Sequence, residues 1–187
     1  MKPGSSSCTK ITTPTVSNAK AKKAGQLSTV ASYNIQTTAS VTANSFDPIE
    51  TTTGSSGAMK GGPGGTSSTS SGDTTLSGVT STKLASDFTS KTSKLVSGRN
   101  LTASDAGTKN VVIEKQLAKQ DALKVGSTIK IKTTSKKYVT MKVVGIYKTS
   151  SSSSMPGSDP SNTIYTSYTL PASINGKENK ASTVTYT

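Results

Sequence analysis

The sequence predicts an α+β fold that is small, mixed and strand-rich, with short helices and long polar loops. Three observations carry that expectation. Two stretches alternate regularly between apolar or mild residues and polar ones. A short helix-like segment sits between an apolar run and a glycine turn. Ser- and Gly-rich stretches with almost no apolar side chain separate these pieces.

Composition sets the scale of the core. A chain of 187 residues suits one domain or two small lobes. Only 30% of its residues are hydrophobic, with two Phe and no Trp, so the core is modest and built mainly from Val, Ile, Leu and Tyr. Roughly a third of the residues are Ser or Thr, and low hydrophobicity with high net charge leans parts of the chain toward loop or tail.

Residues 1–26 are polar, Lys-rich and without periodicity, and read as a linker or arm. From Ala31 to Ala43, Ala31, Tyr33, Ile35, Thr37, Ala39, Val41 and Ala43 alternate with Ser, Asn, Gln and Thr. A period of two predicts a half-buried strand, long enough to bend or break near Thr37. Phe46, Pro48 and Ile49 anchor its end. The segment "TTTGSSGAMKGGPGGTSSTSSGD", Thr51 to Asp73, reads as a flexible loop; its glycines have no phosphate-loop spacing. In the next stretch a short helix or turn is expected at Lys83 to Phe88, then an extended approach to "VSGRNLTASD". There Thr102 and Asp105 have the spacing of a capping box with Asp in place of Glu.

"KNVVIEKQLAKQDALKVGSTIKI" divides into a strand at Asn110 to Ile113, a short helix at Glu114 to Ala122 with Leu117 and Ala118 inward, and a tight turn at Gly126. "TIKIK" then alternates, and after the polar run Thr133 to Lys137 so does "YVTMKVVGIY". Pairing the two as an antiparallel hairpin sets Ile131 opposite Val139 and Ile129 opposite Met141, which puts both apolar sets on one face. Asn110 to Tyr147 holds too few apolar side chains to offset the ordering entropy of its own backbone, so it must pack on something. The strand from Ala31 and the segment "NTIYTSYTL", with Ile164, Tyr168 and Leu170 read as alternating before Pro171, are the expected partners. Thr149 to Ser161 between them is another Ser-rich loop.

The same residues limit function. There is no His and one Cys, which excludes disulfide frameworks, Cys/His zinc sites and imidazole chemistry; no enzyme, cofactor or metal site is expected. Cys8, in "GSSSCTK", lacks the small, leucine-led context of a lipid-modified cysteine and reads as an exposed thiol. No run approaches the length of a membrane span, and the start with Met1 before "KPGSSSCTKITTPT" suggests a piece of something larger. The net charge of +13 invites a nucleic-acid reading. Against it, Arg99 is the lone Arg and the aromatic platforms that stack bases are missing. Scattered Lys fits a solvated surface, one that faces anionic lipid or wall polymer.

"LVSGRNLTASDAGTKNVVIEKQLAKQDALKVGSTIKI", followed by "KKYVTMKVVGIYKT" and "SNTIYTS", resembles the extracytoplasmic domain of MacB/FtsX-type ABC transporter permeases. The resemblance covers roughly residues 95–168. That family shows a Gly-Arg turn, an acidic residue soon after, an "NVVVI" strand, a "LAKKLGLKVGDTI" helix and turn, and an "FKVVGIY" strand. Here these fall on Gly98 and Arg99, Asp105, Asn110 to Ile113, Leu117 to Ile129, and Met141 to Tyr147, which includes Gly145. Ser127 replaces the usual Asp of the "VGD" turn, and the linking loops are unusually Ser-rich.

The resemblance implies a two-lobed ectodomain, with 27–50 and 162–187 in a first lobe, 76–148 in a second and 51–75 as flexible loop. "STVTYT" at 182–187 reads as a strand cut midway, with one lobe incomplete. The parent would be a membrane-embedded dimer in the cell membrane. It would have a cytoplasmic ATP-binding subunit or domain, a membrane-fusion-type adaptor, and peptide or amphiphilic cargo, as in efflux or antimicrobial peptide resistance. Abundant Ser, Thr and Lys fit the outside of a Gram-positive cell. The contrasting expectation is a freestanding secreted or wall-associated adhesive protein. Partner contacts are expected at Met59, Lys60 and Gly61 and at Met155 and Pro156 in two exposed loops, of which Met59 and Met155 are the apolar tips. Gly98, Arg99, Asp105, Gly126 and Gly145 are expected to be structural, Arg99 through a surface or interlobe salt bridge.

Overall fold

A computed structural model of the chain describes residues 16–26, 33–49, 74–150, 160–176 and 180–186. Cys8 and most of the Thr51 to Asp73 and Thr149 to Ser161 loops, with Met59, Lys60, Gly61, Met155 and Pro156, lie outside them.

The described chain begins with β1 (Val16–Ser17), α1 (Asn18–Gly25) and β2 (Tyr33–Ala43). Next come β3 (Thr74–Val79), α2 (Ser86–Thr89), β4 (Ser93–Gly98), β5 (Asn110–Glu114) and α3 (Lys115–Gln120). It ends with β6 (Thr128–Lys132), β7 (Tyr138–Thr149), β8 (Thr163–Ser167), α4 (Thr169–Ile174), β9 (Lys180–Ala181) and β10 (Thr183–Tyr186). The fold is mixed α+β and strand-rich, as the alternation predicts.

The pairings close on themselves. β2 pairs antiparallel with β3, β3 parallel with β8, β8 antiparallel with β5, and β5 parallel with β7. β7 then pairs antiparallel with β6, and β6 returns to β2 through Thr42↔Lys132 and Ala43↔Ile131. Six strands thus form a small barrel, with β10 added beside the start of β2 and β4 beside the end of β7. Segments expected to fall into separate lobes contribute strands to this one sheet.

Alternation along each strand sorts side chains between two cores. Val41, Leu76, Val111, Ile113, Ile129, Ile131, Met141, Val143 and Ile164 pack in one cluster, joined by Phe46 and by Leu117 and Ala118 of α3. The β6–β7 register is the predicted one, with Ile129↔Met141 and Ile131↔Val139. On the opposite face Val112, Leu101, Val79 and Ala85 pack with Tyr147 and Tyr165. Phe88, Tyr147 and Tyr165 form a ring cluster with centroids 5.2–5.7 Å apart, and the Tyr165 hydroxyl donates to Asp87. Burial first, then that carboxylate, pushes the Tyr165 hydroxyl far above the ordinary range, so it remains a neutral donor. Tyr165→Phe is expected to cost about 1.5 kcal/mol in urea unfolding, because the hydrogen bond goes to a charged acceptor.

Four expectations need correction. Residues 18–25 are helical rather than linker: Ala19, Ala21 and Ala24 favour helix, and buried Ala21 docks against Ile35 and Tyr168. β3 begins at Thr74, inside the span read as loop to residue 75. The alternation read through Tyr168 and Leu170 stops at Ser167, and α4 follows. Pro171 fits there because the first helical turn needs no amide donors. β2 runs unbroken through Thr37, whose hydroxyl donates to the Tyr168 carbonyl.

Candidate functional site

The motif residues Gly98, Arg99, Asp105, Gly126 and Gly145 come together around one stretch of β7. β4 ends at Gly98, which pairs with Gly145, and the Arg99 amide donates to the Val144 carbonyl at 3.0 Å. The Gly126 amide donates to the neighbouring Val143 carbonyl at 2.7 Å. Gly98 has φ +72°, and a Cβ there would stand 2.3 Å from the Val144 carbonyl oxygen. At Gly145 the obstruction comes from the other side, with the Arg99 carbonyl oxygen 2.4 Å from where a Cβ would be. The two strands thus touch backbone to backbone, which only glycine at both positions permits.

The crossing from β4 to β5 is organised by one carboxylate. Arg99 grips Asp105 with both terminal nitrogens, each at 2.8 Å. The Thr102 amide donates to the same carboxylate at 2.9 Å, completing the predicted capping box, and Asn110 Nδ2 donates at 2.8 Å. The Asp105 side chain is only 4% exposed, whereas Arg99 is 52% exposed. The Arg99 guanidinium holds the Asp105 carboxyl well below the usual carboxylate range. Burial opposes it, and the Asn110 and Thr102 bonds assist. Asp105 in turn raises the Arg99 pKa. A carboxylate so fully engaged has no affinity for a proton near neutrality and no lone pair aimed at a substrate. Its chemistry is that of a clamp, which fixes where β5 enters the barrel. The predicted salt bridge of Arg99 is therefore local, within one turn.

What the sequence reading missed is where the exposed lysines of the β6–β7 turn and of α1 stand on the barrel. Exposed Lys136, Lys137 and Tyr138 cap the β6–β7 turn, and Lys20, Lys22 and Lys23 project from α1. Lys22 Nζ lies 5.8 Å from the Tyr168 ring centroid, and a hydrogen bond with Tyr168 raises its pKa. The lysines of "TSKKY" were visible as a polar run; their place beside the finish of β2 depends on barrel closure.

Among the described residues no helix is long and apolar enough to cross a membrane, and no group of three or more potential metal ligands occurs.

Comparison with known proteins follows the same architecture. Residues 9–186 match the family described as MacB-like periplasmic core domain. The uncharacterized ABC transporter permease YclI of Bacillus subtilis (strain 168) is 36% identical over 178 residues, a match that covers 86% of this chain and 36% of YclI. The chain thus spans about a third of that relative's length. The extracellular domain of the noncanonic ABC-type transporter YknZ from Gram-positive bacteria superposes with a TM-score of 0.55 at 14% identity, covering 92% of this chain and 73% of that one. The periplasmic region of MacB from Actinobacillus actinomycetemcomitans gives 0.53 at 16% identity, covering 91% and 64%. These two likenesses establish the fold, and the family match extends over nearly the whole sequence. The chain belongs to the MacB-like periplasmic core domain family, the extracytoplasmic domain of MacB-type ABC transporter permeases.

Proposed function

We propose that this domain is a non-catalytic coupling and binding module of its parent permease. Outside the membrane it engages a membrane-fusion-type adaptor and a peptide or other amphiphilic cargo. It passes on motion driven by ATP hydrolysis in a cytoplasmic subunit or domain, within a dimeric parent, in export of or resistance to such cargo. The observation that carries this reading is the family match over residues 9–186 together with the permease relative. The closed barrel with its glycine contact and Asp105 clamp supports it, because a rigid body is what transmits displacement without absorbing it.

The loops around Met59, Lys60, Gly61 and around Met155 and Pro156 are proposed as partner contacts. In cells that carry the parent permease, the double variant Met59→Ala/Met155→Ala should weaken co-purification of the adaptor about ten-fold, as expected for two apolar anchors of an interface. Survival in amphiphilic peptides should fall with it, while membrane levels of the permease hold. Unchanged co-purification would remove these loops from the interface. Unchanged survival after deletion of the whole gene, across a panel of such peptides, would remove the cargo class.

A further inference from the structure

Resting on the reading that a membrane lies beside this domain, we propose that the barrel end formed by the β6–β7 turn and α1 docks on anionic phospholipid headgroups. Strand sense defines that end. β2 and β5 start there, at Tyr33 and Asn110, while β3 and β8 finish there, at Val79 and Ser167. β6 finishes and β7 starts in the same sense, so the turn between Lys132 and Tyr138 projects toward this end from beside Thr42. β10 pairs with Tyr33 to Gln36, so the last described strand lies at this end as well.

The carboxylates divide by end although the lysines do not, since Lys94, Lys115, Lys119 and Lys148 stand at the other end with Glu114. Lys132, Lys136 and Lys137 of the turn and Lys109 just before β5 face this end, and Lys20, Lys22 and Lys23 lie on α1, which docks on Ile35 and Tyr168. Among the described carboxylates, Asp47, Glu114 and Asp121 follow or close β2, β5 and α3 at the opposite end. Asp87 accepts the Tyr165 hydroxyl, and Asp105 is held by Arg99. Among the described residues, no uncommitted carboxylate stands at this end to neutralise the lysines.

The chemistry of the groups selects the partner. Ammonium groups are compact, hydrated point charges that attract a layer of phosphates without the directional fork of Arg. Tyr138, at 61%, is the most exposed of the exposed large hydrophobic residues, and Lys132 Nζ sits 5.9 Å from its ring centroid. An amphipathic ring at the tip of a basic turn suits the headgroup layer, where its body leaves water and its hydroxyl stays wet. A cleft of about 400 Å³ lined by Thr108, Lys109, Thr169 and Leu170 opens at the same end, with room for a headgroup beside a cation.

Flotation of the 187-residue chain with vesicles tests this. Equal parts phosphatidylglycerol and phosphatidylcholine should carry the chain upward at low salt, and pure phosphatidylcholine should not. Each lysine at such a surface is worth about five-fold in partitioning, so Lys132→Gln/Lys136→Asn/Lys137→Gln should lower it on the order of 100-fold. Asn is chosen at 136 because Lys136 has φ +59°, a conformation Asn tolerates. The charge-matched Lys115→Gln/Lys119→Gln/Lys124→Gln should partition like the unaltered chain, and Tyr138→Ser alone should weaken binding without shifting the melting temperature. Equal losses in the two triple variants, absence of binding to anionic vesicles, or a soluble polyglycerol phosphate that binds as tightly as vesicles would each overturn the proposal; the last would assign the surface to a wall polymer. The vesicle result stands or falls without the parent permease, whose membrane placement is measured separately in cells.

Discussion

Asp105→Ala should destabilise the chain by about 3 kcal/mol, read as a lower midpoint in urea and a melting temperature lower by roughly 6–12 °C. The substitution strips the acceptor from both Arg99 nitrogens, the Thr102 amide and Asn110 Nδ2. Arg99→Ala leaves the buried Asp105 carboxylate its Thr102 and Asn110 bonds but not its counter-charge, so it should cost somewhat less, about 2 kcal/mol. Asp105→Asn keeps the shape and loses the charge, and should fall between the two. The pH dependence fixes the mechanism. A folded-state pKa below the unfolded value means that the unfolded chain binds the proton first as pH falls. The Asp105 contribution is therefore present in full above the unfolded carboxylate pKa of about 4, and is lost as pH falls through the lower folded value. The stability gap between the unaltered chain and Asp105→Asn should stay constant from pH 8 to about pH 5 and narrow below about pH 4. A gap that instead persists unchanged to pH 2 would mean that shape rather than charge accounts for it.

The larger loss is expected at the glycine contact. Gly98→Ala should cost more than about 3 kcal/mol, since the added carbon meets the Val144 carbonyl and the residue is held at positive φ. Gly145→Ala should be comparably severe, because the Arg99 carbonyl cannot retreat without parting β4 from β7. Neither obstacle is a flexible side chain that swings aside. Circular dichroism melts of the two variants, with hydrogen exchange at the Arg99 and Gly126 amides, check both the size and the location of the effect. Two variants that melt within a degree of the unaltered chain would show that the strands separate easily here.

How much of this was legible in the sequence depends on how each segment is buried. The β6–β7 hairpin was readable to the residue, because one face is apolar and the other is Lys and Thr, so a slip of one residue would reverse every side chain. The capping box at Thr102 and Asp105 was readable for a similar reason, since a fixed spacing satisfies fixed backbone donors. β3 was not readable as a strand. Thr74, Ser77 and Val79 are all buried, and a strand covered on both faces has no alternation to show. α1 escaped notice because Ala21 is its only buried apolar residue among lysines, and its docking surface, Ile35 and Tyr168, is supplied from elsewhere in the chain. The motif residues were each visible, but their meeting on β7 exists only once the strands have paired.

The central claim is that this domain stands outside a membrane as part of a permease, and cell fractionation with an antibody to the domain tests it most directly. The antibody should detect a polypeptide much heavier than 19.1 kDa, released from membranes only by detergent and degraded by protease added outside intact spheroplasts. A band near that mass in the medium or released from the wall, or a membrane band that external protease leaves whole, would contradict the claim.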